Sequence, residues 1–259
     1  ENCSQAPVGA EGRRDVAPER DDVEGALIDS VGNELGARAT LLDGDARQKL
    51  VVRGFMMSVD GFAAGLDQRL EQPFGDHTEG FTDWMFATRS GCQMLGLEGG
   101  EENADDAFVA HSFDNIGAAI LGRNMFGTSR GPWTDDGWNG WWGPDPPYHA
   151  PTFVLTHHPR EPLPMEGGTT FHFATQGIDD TLERAFGAAN GMDVRLMGGA
   201  ASIRQYLAAG LIDELHLVVV PMLIGRGERV FAESSPPAGY TCVEHTATPA
   251  VIHLRFERC

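Results

Sequence analysis

Lysine is almost missing from this chain. Lys49 is the single example, and arginine supplies nearly all the positive charge. A mechanism that needs a catalytic lysine therefore has little to work with. Basic charge as a whole is scarce: 19 Lys and Arg face 38 Asp and Glu, a formal net charge of −19. That balance argues against nucleic acid as a partner, whose phosphates need basic patches, and equally against an anionic membrane surface. It fits a self-repelling surface in water. The four cysteines, Cys3, Cys92, Cys242 and Cys259, include no C-x-x-C pair. Neither a zinc site nor a disulfide framework is expected, and free thiols in a reducing compartment are the simplest account. No apolar run reaches the length that crosses a bilayer. The N-terminal stretch is polar and acidic rather than a signal peptide, so the expected location is cytoplasmic.

What is present in quantity is apolar side chain (41%) and glycine (33 residues). A chain of 259 residues can bury a sizeable core in one large domain, or one domain with an appendage. Residues 1–48 are rich in charge, Pro, Gly and Ala, and are expected to be disordered or weakly structured. Order is expected from Lys49. "KLVVRGFMMSVDGFAAG" predicts a buried strand over 50–57 and a turn at Asp60-Gly61. "TEGFTDWMFATRSGCQML" predicts a helix capped by Thr82, and "GGEENADDAFVAHSFDNI" a second. "GAAILG", "TFVLTHHP", "TTFHFA", "DVRLMGG", "DELHLVVVPML" and "VIHLRFER" read as strands. "DDTLERAFGAANG" places Leu182, Ala185, Phe186 and Ala189 on one helix face, and "AASIRQYLAAG" turns Ile203, Tyr206 and Leu207 inward. Strands alternating with helices predict an α/β domain with a mainly parallel sheet. "LHLVVVPMLIG" is expected near a sheet edge, where strands invite pairing with a second copy. Trp138, Trp141 and Trp142 fall in a Gly- and Pro-rich stretch that predicts a long loop, either packed down by its tryptophans or roofing a ligand.

Three strand ends carry the chemistry. After "DVRLM", the pair Gly198-Gly199 precedes a helix beginning Ala200, Ala201, Ser202. Unpaired N–H groups at a helix start and the helix dipole suit a phosphate, and glycine lets the backbone approach it. A tight turn is the plainer alternative, and the pattern is not the G-x-G-x-x-G fingerprint. "ILGRNMFG" puts Gly122, Arg123 and Asn124 at another strand-to-helix junction, where arginine can fork onto phosphate. "FVLTHHPR" ends a strand in Thr156, His157, His158 and, further on, Arg160, and hydroxyl, imidazole and guanidinium together suit a phosphate monoester. A metal hydrolase built on His149, His157, His158 and His172 lacks helical ligand spacing, and no metal is expected. In an open α/β sheet such strand ends share one side, where ligands bind.

The stretches "SVDGFAAG", "ILGRNMFG", "FVLTHHP" and "VRLMGGAASIRQYLAAGLIDELHLVVVPMLIGRGERVF" resemble the dihydrofolate reductase-like superfamily. They are most similar to its branch containing the reductase domain of the bifunctional riboflavin-biosynthesis deaminase-reductase. The resemblance spans about Leu50 to Phe256 and makes 49–259 the reductase domain. It implies a central, mostly parallel sheet flanked by helices, with NADPH along its C-terminal edge. Gly198 and Gly199, often joined by a cis peptide in this superfamily, would approach the pyrophosphate. Gly122, Arg123 and Asn124 would lie at the other phosphate-facing helix start. Thr156 and His157 would meet the adenosine 2′-phosphate, with Met56 and Ala63 near the nicotinamide carboxamide. Hydride would pass to a C=N or C=O carbon of a small, heterocyclic substrate. The resemblance also implies a homodimer. Asp60 and Asp83 are the candidate proton donors, each with an ordinary alternative: a turn-forming Asp-Gly, and a helix N-terminal aspartate. The branch carries a lysine before its S-x-D-G motif and this chain has none there, which counts against a ribityl-phosphate substrate. A dinucleotide-binding sensor or scaffold without turnover is the alternative from a different class.

Overall fold

The computed structural model describes residues 47–127, 131–134, 137–231 and 238–259. The chain divides into Glu1–Ala46 and Arg47–Cys259, so the extension expected over 1–48 lies, up to residue 46, outside the described residues.

The apolar run at Leu50 folds as β1 (Leu50–Ser58), whose first three residues are fully buried. β2 (Phe62–Ala64) follows the Asp60-Gly61 turn, then α1 (Asp83–Phe86), α2 (Arg89–Met94), α3 (Ala104–His111), β3 (Ile116–Gly122) and α4 (Arg123–Phe126). Next come β4 (Pro151–Leu155), β5 (Leu163–Pro164), β6 (Thr170–Ala174), α5 (Ile178–Ala188), β7 (Asp193–Gly198) and α6 (Ala200–Ala208). The chain ends with β8 (Glu214–Val220), β9 (Glu228–Arg229), β10 (Tyr240–Ala247) and β11 (Ile252–Arg258). Nine strands form one sheet in the order β10-β11-β8-β1-β7-β3-β4-β6-β5, and β2 pairs with β9 apart from it. The six strands from β8 to β6 are parallel; β11, β10 and β5 add antiparallel edges.

Parallel strands are covered on both faces, which explains their continuous apolar runs. On one face α5 and α6 pack Leu182, Ala185, Ile203, Tyr206 and Leu207 against strand residues such as Leu50, Ile120 and Leu196. These are the helix faces the spacing predicts, except that Phe186 is only half-buried. The opposite face carries two smaller clusters, one around Phe81, Trp84 and Val218, the other around Phe126, Phe171 and Phe173.

Three expectations need correction. The helix expected over "TEGFTDWMFATRSGCQML" is two short helices. The Thr88 hydroxyl donates to the Met85 carbonyl and accepts from the Gly91 N–H, capping α2 and stopping α1. Thr82, the expected cap, makes no side-chain cap bond. "LHLVVVPMLIG" is not at an edge: β8 is bonded on both sides, by β1 and β11. The edge on that side is β10, whose sequence "YTCVEHTA" has no apolar run to announce a strand; it exists because β11 pairs with it.

Candidate active site

Register brings the three strand ends together. In the parallel array Gly122 pairs with Leu155, and Leu121 with Gly198. The loops that follow β3, β4 and β7 therefore leave the sheet side by side, and a cavity of about 1060 Å³ opens along them. The start of α6 forms one wall, through Gly199, Ala200, Ala201 and Ser202. No side chain caps this helix, so its first N–H groups are available to an acceptor in the cavity. A Cβ on Gly199 would meet nothing within 4 Å, which leaves open space over the helix start. Its neighbour is crowded: a Cβ on Gly198 would stand 2.8 Å from the Phe55 ring, at a φ of +131°. The Gly198–Gly199 peptide is cis. Gly122 is held as tightly, since a Cβ there would lie 2.6 Å from the Ser202 hydroxyl.

Gly122, Arg123 and Asn124 line the same cavity, as do Thr156 and His157. The Thr156 hydroxyl accepts from the His158 N–H at 3.2 Å and so shapes the turn it sits in. The Arg123 guanidinium carbon stands 3.0 Å from the Trp133 ring centroid. Of the sequence-predicted residues, then, all those of the glycine, Gly122–Asn124 and Thr156-His157 groups meet at one cavity, Gly198 standing just behind the wall.

The other end of the cavity is made by side chains. Met56 and Ala63 line it, together with Phe55, Met85, Phe86 and Met94. The loop tryptophans divide their work. Trp141 and Trp142 face the cavity, whereas Trp138 donates its indole N–H to the Phe126 carbonyl at 2.8 Å and Trp133 donates to the His158 carbonyl at 2.8 Å.

Two arginines that the strand pattern conceals, Arg53 on β1 and Arg195 on β7, sit buried in the cavity floor. Their signal in the sequence is a charged residue inside each of two apolar runs, "LVVRGFMM" and "DVRLMGG". Beside them β1 bulges between Val52 and Phe55. The Gly54 N–H in this bulge donates to His216 Nδ1 at 3.1 Å. His216 Nε2 meets His253 Nδ1 at 3.0 Å, and His253 Nε2 meets Asp105 at 2.9 Å. For the chain of bonds to close, each imidazole is neutral and carries its proton on Nε2. Burial favours this, pushing His216 down to about 3 and His253 below its usual value against the pull of Asp105.

The two candidate acids do not line the cavity. Asp83 is exposed. The Asp60 carboxylate accepts from the Ser58 hydroxyl at 2.5 Å and from the amides of Ile224 and Gly225 at 3.1 and 2.6 Å. Burial alone would raise its pKa, but these bonds outweigh it and hold the carboxyl below 3.8. It is a loop anchor in the ionised form, the opposite of a proton donor. Glu228, ion-paired with Arg204 at 3.8 Å, is the carboxylate that does reach the wall among the described residues. The four histidines weighed as metal ligands are not assembled: among the described residues no group of three ligating side chains is placed to hold a metal.

Residues 49–254 match the model of the RibD C-terminal domain family. No curated protein matches the chain. Among solved structures, a protein from Shewanella sp. PV-4 assigned to riboflavin biosynthesis is 20% identical, covering 82% of this chain and 99% of its own, with a TM-score of 0.52. The Thermotoga maritima diaminohydroxyphosphoribosylaminopyrimidine deaminase/5-amino-6-(5-phosphoribosylamino)uracil reductase is 13% identical over 82% of this chain and 57% of its own, with a TM-score of 0.48. An Enterococcus faecalis dihydrofolate reductase complexed with NADP(H) is 12% identical over 82% and 97%, with a TM-score of 0.44. With the strand order above, the family match and the Shewanella structure give the fold as dihydrofolate reductase-like.

Proposed function

Because the chain belongs to the RibD C-terminal domain family, we propose that it is an NADPH-dependent reductase of a small heterocyclic substrate. The observation that carries this reading is the uncapped start of α6, opening with Gly122–Asn124 and Thr156-His157 onto one cavity. The residues present suit the cofactor. Open space over Gly199 and free N–H groups suit a pyrophosphate, and hydroxyl and imidazole at Thr156-His157 suit a 2′-phosphate. When bound, NADPH supplies a hydride for a C=N or C=O carbon. The protein would orient the two partners: Met56 and Ala63, which line the cavity, would border the nicotinamide, and Trp141, Trp142 and Phe86 would offer walls on which a flat ring can lie. With Asp60 and Asp83 off the cavity and Glu228 ion-paired with Arg204, the accompanying proton is assigned to solvent. A homodimer and a cytoplasmic location belong to the same reading.

The test is thermal unfolding with NADPH, with NADH and with neither. A ligand at 100 times its dissociation constant adds about 2.7 kcal/mol to stability. The expected result is a clear upward shift with NADPH and a smaller one with NADH; no shift with either removes the reading. The competing reading, a dinucleotide-binding sensor without turnover, draws on the lack of a cavity-facing Asp60 or Asp83. It predicts the same shift but no NADPH consumption with any pterin, pyrimidine or quinone-like compound.

A further inference from the structure

The two buried arginines of the cavity floor are not equivalent. Arg53 is neutralised: its Nε donates to Glu214 at 3.1 Å, and its Nη1 to the carbonyls of His111 and Asp114 at 3.3 and 2.8 Å. Arg195 has Nη2 bonded to the Arg53 carbonyl at 2.8 Å, but its Nε and Nη1 have no acceptor. Its guanidinium lies 4.7 Å from the Phe113 ring centroid, and no described carboxylate pairs with it. Only 8% of the residue is exposed. Burial pushes its pKa down to about 10, so it remains a cation at neutral pH. A buried charge with unmet donors is costly in a fold, and the neighbours of Arg195 on its strand, Val194 and Leu196, are simple core residues. With Arg53 and Glu214 cancelling, the floor carries one uncompensated positive charge in a chain of net charge −19.

We propose that Arg195 is the specificity-determining cation of the substrate end, and that it receives a carboxylate carried by a flat aromatic or heterocyclic substrate. The proposal rests on the reductase reading and narrows its substrate class. One unpaired guanidinium with a single net charge matches a monoanion; a phosphate monoester, close to a dianion, would leave charge and acceptors unmet here. Trp141, Trp142 and Phe86 line the same cavity and supply flat walls for the ring. In this conformation Nε and Nη1 are closed off from solvent. Engagement therefore has the guanidinium turn toward the cavity that Arg195 already lines.

The experiment uses the full chain with saturating NADPH and three probes that share a phenyl ring, benzoate, its neutral isostere benzamide, and phenyl phosphate, titrated by ligand-observed NMR. Benzoate is expected to bind about tenfold more tightly than benzamide, the ratio one added charge-assisted contact yields, and more tightly than phenyl phosphate. R195M abolishes the preference for benzoate, and R195K, which keeps the charge without the fork, retains part of it. Without probes, R195M unfolds at a higher temperature than the parent, because an unpaired buried cation has been removed; an arginine needed only for folding would give the reverse. Should R195M fail to fold, R195K carries the test through a reduced benzoate preference. Equal binding of benzoate and benzamide, tighter binding of phenyl phosphate, or a preference that survives in R195M overturns the proposal. The NADPH shift, measured in each variant, is expected to be unchanged; its absence from the parent chain overturns the reductase reading separately.

Discussion

At the scale of single residues, Gly198 and Asp60 show how little of the site is chemistry and how much is space and anchorage. Gly198→Ala drives a methyl into the Phe55 ring. Overpacking of this kind costs about 1–3 kcal/mol, and because the shift falls at the mouth of α6, loss of stability and of the NADPH shift is expected together in one denaturation series. Asp60→Asn removes the charge that three donors converge on, so a lower melting temperature is expected at neutral pH. The pH dependence has a fixed sign. A carboxyl whose folded pKa lies below 3.8 contributes fully above that value, and the contribution fades as pH falls through the lower folded value. The gap between parent and variant should therefore close in strong acid; a gap that stayed constant there would show that charge is not what anchors the loop. Asp83→Asn, exposed and away from the cavity, should stay within about 0.5 kcal/mol of the parent and keep the NADPH shift. Both acids were plausible from sequence because Asp-Gly and a helix-start aspartate are local patterns. What decides their roles is distant, since Asp60 meets residues 164 and 165 positions further along.

At the scale of elements, legibility followed burial. β1, β3, β4, β7 and β8 announce themselves as apolar runs because both faces of a parallel sheet are covered, and α5 and α6 by the spacing of their buried faces. The glycine junctions were legible because strand–glycine–helix is a local grammar. β10 was not, for an edge strand faces solvent and owes its existence to β11. The histidine relay was hidden too: Asp105, His216 and His253 lie on three separate elements and only the fold joins them. That relay ties the β1 bulge to α3 and β11, and it titrates with a definite sign. His216 has a folded pKa pushed down to about 3 and His253 one below 6.5, so as pH drops from 6.5 the unfolded chain takes up protons that the folded chain resists, at His216 as far as about pH 3. Stability is full above 6.5 and falls as pH drops below it, by about 1.4 kcal/mol per pH unit for each such proton. His216→Asn keeps an acceptor for the Gly54 N–H and deletes one titration. A shallower loss of stability between pH 6.5 and 4.5 is expected from denaturant midpoints; an unchanged slope would mean His216 is already protonated in the fold.

At the scale of the whole molecule, a net charge of −19 opposes compaction over the entire surface. Screening should relieve it: raising sodium chloride from about 0.02 to about 0.5 M shortens the Debye length from ~20 Å to ~4 Å. Melting is then expected about 2–4 °C higher, the equivalent of roughly 1 kcal/mol for a chain of this size. A lower melting temperature in salt would show that the exposed ion pairs outweigh the general repulsion. The cavity also has two unlike ends, and this bears on how such a protein changes over generations. Where α6 begins, the surface is main chain and missing side chains, which most substitutions elsewhere cannot alter. At the far end it is methionine, phenylalanine and tryptophan, each replaceable by another apolar residue at small cost to the core. Mutational drift therefore meets a stiff half and a pliant half in one cavity, so descendants of a common ancestor can part company in what they accept at one end while inheriting the other unchanged.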